Sequence, residues 1–165
     1  MGHGTATVYD YGCAATSIAM LIAKSGADTS KIEKKYNQPF NHLTFVKAMT
    51  SIGGFNNGGS ITSWAKPTEL VPDFVFVRDS RTTGGFSGNK QQKIKILQDL
   101  VNQGYYVVLE VRCDSDHFVA LDTVQNGHVY VMDPATKYKE IWTDDGKSYW
   151  TNPSCSDSYR VYRKV

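Results

Sequence analysis

A chain of 165 residues with 41% hydrophobic content and charges of both signs suits one globular domain with its own core. Its formal net charge of +2 is too small to argue for a nucleic-acid partner. No apolar run approaches the ~20 residues that would insert into and cross a membrane.

The three cysteines, Cys13, Cys113 and Cys155, make no disulfide framework and have no metal-ligand spacing. If Cys113 and Cys155 pair, Cys13 is left as the reactive thiol. Met1-Gly2-His3-Gly4 lacks the basic start and apolar core of a signal peptide, and a longer parent chain is left open.

Residues 1–11 are polar and aromatic and read as an irregular lead-in. The run from Tyr11 to Lys24 has no proline, only one charge, at its end, and apolar residues almost all round. That predicts a buried helix closed by Lys24 and Gly26. Cys13 falls at its mouth, where free N–H groups and the helix dipole would favour a thiolate. Position alone reads equally well as a small buried hydrophobe.

Asp28-Thr29-Ser30 offers a cap for a second helix through Tyr36, and Asn41 or Thr44 opens a third through Met49. A glycine-rich breaker at 53–59 and the segment around Trp64 follow, then a strand predicted over Leu70–Val77 and a loop over Thr82–Gly88. Neither glycine-rich loop opens a helix with Lys-Ser/Thr, which excludes a phosphate-binding loop. Lys90 to Asn102 is an amphipathic helix with Ile94, Leu97 and Val101 on its apolar side.

The rest reads as β: Tyr105–Arg112, His117–Thr123 and His128–Met132, with Asn126-Gly127 as a hairpin turn. Short strands are expected around Glu140–Trp142 and Tyr159–Arg163. Helices first and an antiparallel sheet afterwards make the fold class α+β.

A thiolate nucleophile needs a base, and the base needs an orienting group. His3, His42 and His128 sit in polar or turn contexts. His117 opens a strand, and the next strand ends in Asp133-Pro134, so Asp133 could hold its imidazole. Asp116 and Asp122 are the other candidates. A strict two-residue turn at Asn126-Gly127 would point Asp133 and His117 to opposite faces, so the pair requires a one-residue bulge, which a type I turn with a G1 bulge at Asn126-Gly127 would supply, or a strand that has ended so that Asp133 bends back.

Gly12-Cys13-Ala14-Ala15-Thr16-Ser17-Ile18-Ala19-Met20 resembles the signature of papain-like cysteine peptidases related to the bacteriocin-leader (double-glycine) processing peptidases. Asp116-His117-Phe118-Val119 and Val129-Tyr130-Val131-Met132-Asp133-Pro134 are similar to that family's His and Asp-Pro strands, and Ser158–Tyr162 to its last strand. The resemblance implies one papain-like domain over 1–165, with Cys13 as nucleophile, His117 as general base and acid, and Asp133 as orienter. It implies no cofactor, and a peptide or a peptidoglycan stem or cross-bridge as substrate, since alanine after the cysteine looks like the versions in phage lysins, phage tail proteins and cell-wall enzymes. That would place the activity outside the cell, at a wall or virion. The family's Gln ahead of the nucleophile has no counterpart before Gln38. Thr7 or Tyr9 would donate to the oxyanion instead, with the Cys13 backbone N–H. Substrate contacts are expected from Trp64 and the loops at 53–60 and 82–88. Leader or linker cleavage, and a non-catalytic phage-tail or wall-binding module, are the alternatives.

Overall fold

The computed structural model describes residues 8–112, 116–135, 138–142 and 157–165. The first helix, α1 (Val8–Ser25), follows the predicted apolar run but starts earlier. Residues 8–11, expected to be irregular, are its first turn. They contain neither proline nor glycine, so nothing stops the helix extending backwards. Gly26, at a φ of 70°, ends it in the left-handed position where a side chain would be strained. Ala15, Ile18, Leu21 and Ile22 are completely buried.

The second helix, α2 (Ser30–Tyr36), stops at Asn37 in the left-handed region. The third, α3 (His42–Ser51), uses both predicted opening residues together: Asn41 Oδ1 accepts from the Thr44 backbone N–H, and Thr44 Oγ1 accepts from that of Asn41. This reciprocal cap satisfies two otherwise orphaned donors.

The strand predicted over Leu70–Val77 is displaced. Lys66–Leu70 forms a short helix, α4, with Pro67 in its first turn, and the first strand, β1, is Phe74–Asp79. Pro67 suits a helix start because its missing N–H would be unpaired there anyway. Asp79 then caps a single turn, α5 (Ser80–Thr83), where the start of a loop was expected. The helix α6 (Lys90–Asn102) is as predicted and buries Leu97 and Leu100.

The remaining strands are β2 (Tyr106–Arg112), β3 (Asp116–Gln125), β4 (His128–Met132), β5 (Tyr138–Ile141) and β6 (Asp157–Lys164). They pair antiparallel in the order β1-β6-β2-β3-β4-β5. Period-two alternation divides the core between the two faces. Val108, Ala120 and Tyr162 pack with α1 and α3, whereas Val107, Leu109, Val119, Leu121 and Val161 pack with α6. Each fully buried aliphatic side chain contributes about 1.5–3 kcal/mol. Helices on both faces of an antiparallel sheet give the α+β, papain-like arrangement expected.

A cluster of charged residues lies inside this core. Arg160 on β6 is fully buried and bonds Glu110 Oε1 on β2 at 3.1 Å, with Asp79 Oδ2 on β1 at 3.4 Å from its Nε. Its guanidinium lies 4.6 Å from the Trp64 ring centroid and 5.3 Å from that of Phe118. A charge in such a position is tolerated only because opposite charges and aromatic faces surround it.

Candidate active site

Helix α1 runs alongside β3 and is tied to it at intervals. Ser17 Oγ donates to the Phe118 carbonyl at 3.1 Å, and Lys24 Nζ bonds Asp122 near the far end of the helix. Cys13 precedes Ser17 by four residues, so it shares the same helix face one turn further on. There its side chain is in hydrogen-bonding contact with His117, the second residue of β3. Both are buried, at 7% and 9% exposure.

Asp133 reaches the same ring by a shift of strand register. The Asn126-Gly127 turn is tight: Gln125 pairs with His128, and both turn residues have positive φ (52° and 79°), as a two-residue primed turn requires. Taken alone, this register would place Asp133 opposite Ala120. Between Leu121 and Thr123 the pairing skips Asp122, and beyond that bulge Ala120 pairs with Met132. Asp133 therefore lies opposite Val119, on the face it shares with His117. His117 Nε2 and Asp133 Oδ1 are 2.8 Å apart, and Asp133 Oδ1 also accepts from the Ala135 backbone N–H at 2.9 Å. The predicted bulge is present, in the strand instead of at the turn.

The electrostatics follow from this packing. Burial pulls the His117 pKa down, but the hydrogen bonds to Asp133 and Cys13 and the charges on both outweigh it and raise the value to about 9. With Asp133 on Nε2, Nδ1 is the ring nitrogen left for the sulfur. The imidazolium is thus held between a carboxylate and a sulfur, which is the arrangement a proton-transfer pair needs.

Cys13 itself is placed differently from expectation. It is the sixth residue of α1, beyond the first turn whose N–H groups are free. The helix-dipole argument for its activation is replaced by its contact with His117. Thr7 lies outside the described residues, as does the Tyr9 side chain, although the Tyr9 backbone is in α1. Cys113 and Cys155 also lie outside them.

Trp64 is half-buried, with its ring 5.4 Å from that of Phe118, the neighbour of His117. Its carbonyl accepts from Tyr162 Oη at 2.7 Å, so Tyr162 and Arg160 hold the residue in place. The Asp116 side chain is outside the described residues; Asp122, the other weighed candidate, binds Lys24 and does not bond the imidazole. His42 and His128 are exposed, and His128 bonds Glu140. A cavity of about 670 Å³ between α6 and the Asn126-Gly127 turn is lined by Ile94, Gln98, His128 and Trp142 among others, and contains none of the three clustered residues. Among the described residues no group of three His, Cys, Asp or Glu side chains could hold a metal ion.

Sequence reasoning missed Arg160 as the buried partner of Trp64. The available signal was the alternation of Tyr159-Arg160-Val161-Tyr162, which places Arg160 on the same face as the fully buried Tyr162.

A family model described as the Peptidase_C39 like family matches residues 3–163 of the chain. No curated protein matched the sequence.

Proposed function

The chain belongs to the Peptidase_C39 like family, a family of cysteine peptidases, and on that premise we propose that it hydrolyses peptide bonds with Cys13, His117 and Asp133. The observation that carries this reading is the buried series of contacts from Cys13 through His117 to Asp133. His117 takes the Cys13 proton, and the thiolate sulfur attacks the substrate carbonyl carbon. The resulting tetrahedral oxyanion collapses, the carbon–nitrogen bond breaks, and His117 gives its proton to the departing amine. A water molecule, deprotonated by His117, then attacks the thioester and returns the sulfur to its thiol. Asp133 holds the ring in the tautomer with Nε2–H throughout, leaving Nδ1 to exchange the proton.

A hydroxyl from Thr7 or Tyr9 is assigned to the oxyanion, because no glutamine precedes Gln38. One oxyanion donor is worth roughly 100- to 1000-fold in rate. Trp64, half-buried beside Phe118, is assigned to the substrate. Ala14 after the nucleophile supports a peptidoglycan stem or cross-bridge peptide as the substrate, in a wall- or virion-associated setting.

The test is release of new amino groups from Gram-positive sacculi by the protein and by its Cys13→Ala variant. Release that the variant loses supports a wall peptidase. No release, with Cys13 alkylated at pH 6 much faster than a free thiol, redirects the reading to a protein or leader substrate. No release and ordinary thiol reactivity support a binding module, the reading that the missing glutamine favours.

A further inference from the structure

Asp122 is a residue of β3 that pairs with neither neighbouring strand. The pairing of β3 with β4 skips it, and the pairing of β3 with β2 ends at Val108↔Ala120, two residues earlier. Its carbonyl and one carboxylate oxygen are bonded from outside the sheet: Lys24 Nζ donates to the Asp122 carbonyl at 2.5 Å and to Oδ1 at 2.8 Å. Lys24 is in the last turn of α1, whose other end carries Cys13. One side chain therefore grips the bulge that brings Asp133 onto the His117 face and sets how far α1 lies along β3.

We infer that Lys24 is a positioning residue for the proposed active site: its grip on the Asp122 bulge holds the sulfur, the imidazole and the carboxylate in mutual register. The inference rests on the triad assigned above. Its weight is geometric and not coulombic. The ion pair is partly exposed, with 37% and 27% of the two side chains accessible, and such pairs add only about 0–1 kcal/mol to stability. Without the grip, the unpaired residue can shift along the strand, and a one-residue slip turns Asp133 to the other face. Misplacing a reacting group by about 1 Å costs up to 100-fold in rate.

The test is Lys24→Met, which keeps the apolar stem and loses the donor, with Lys24→Arg as the conservative partner and Lys95→Met as a control at the exposed Lys95–Asp99 pair. Two quantities are read on protein with a wild-type circular dichroism spectrum: the rate of Cys13 alkylation by iodoacetamide at pH 6, and the His117 titration midpoint by NMR. Lys24→Met should lose about tenfold in alkylation rate and show a lowered midpoint, Lys24→Arg should recover most of both, and Lys95→Met should change neither. Wild-type reactivity and midpoint in Lys24→Met would overturn the inference while leaving the triad intact. A wild-type protein whose Cys13 reacts like a free thiol would remove the triad, and the inference with it. If Lys24→Met does not fold, Lys24→Gln takes its place, with the same expected loss and the same overturning result.

Discussion

Asp133→Asn is the perturbation that most directly probes the contact between His117 and Asp133. The substitution keeps shape and an acceptor oxygen but removes the negative charge 2.8 Å from His117 Nε2. His117 stands at about 9 against an ordinary 6.5, and burial works against that elevation, so the attraction from Asp133 and Cys13 exceeds the net difference. An opposite charge this close typically moves a pKa by ~1–3 units. The His117 midpoint in the variant should therefore fall by at least ~1 unit, each unit being about 1.4 kcal/mol. The assay is Cys13 alkylation followed from pH 4 to 10, with the imidazole titration observed by NMR. The same change should appear in folding. Because the folded His117 pKa is raised, its stabilising contribution is complete below pH 6.5 and is lost as pH rises through about 9. Wild-type Tm should thus decline across that window, and the Asp133→Asn curve should be flatter. An unchanged midpoint near 9 in the folded variant would refute the argument that Asp133 is a principal source of the shift.

On the proposed mechanism kcat/KM of the wild type should itself fall on the alkaline side with a midpoint about 9, because the leaving amine needs the His117 proton; a pH profile of kcat/KM measures this. Arg160→Met should cost about 3–5 kcal/mol in urea unfolding, since Glu110 and Asp79 would be left buried without their counter-charge. Trp64→Ala should raise KM more than it lowers kcat if the side chain meets substrate, and equal kcat with equal KM would remove it from the site. Gly54→Ala should destabilise by about 1–3 kcal/mol by thermal melting, because an added Cβ would come within 2.8 Å of the Met49 carbonyl oxygen in α3.

Much of this architecture was legible from local chemistry. The unbroken apolar run around Ile18, the Asn41/Thr44 cap and the Asn126-Gly127 turn each specify a local conformation through a few neighbouring residues, and the structure contains each of them. Elements whose boundaries depend on weak local signals moved. Residues 8–11 joined α1, and Pro67 opened a helix where a strand had been expected to begin nearby at Leu70.

The amino-acid sequence by itself determined the α+β class, the order of Cys13, His117 and Asp133 along the chain, and the condition that after a strict two-residue turn the last two could meet only across a bulge or by Asp133 bending back. Tertiary structure decided where that bulge lies and what grips it: Asp122 is omitted from the β4 pairing and held by Lys24, 98 residues away in the chain. It likewise moved Cys13 from the mouth of its helix to its second turn, against a buried imidazole. The physical reason is the range of the forces. Helix propensity, caps and turns act over a few residues, whereas register, burial of Arg160 and the raised His117 pKa arise only when remote segments exclude water together.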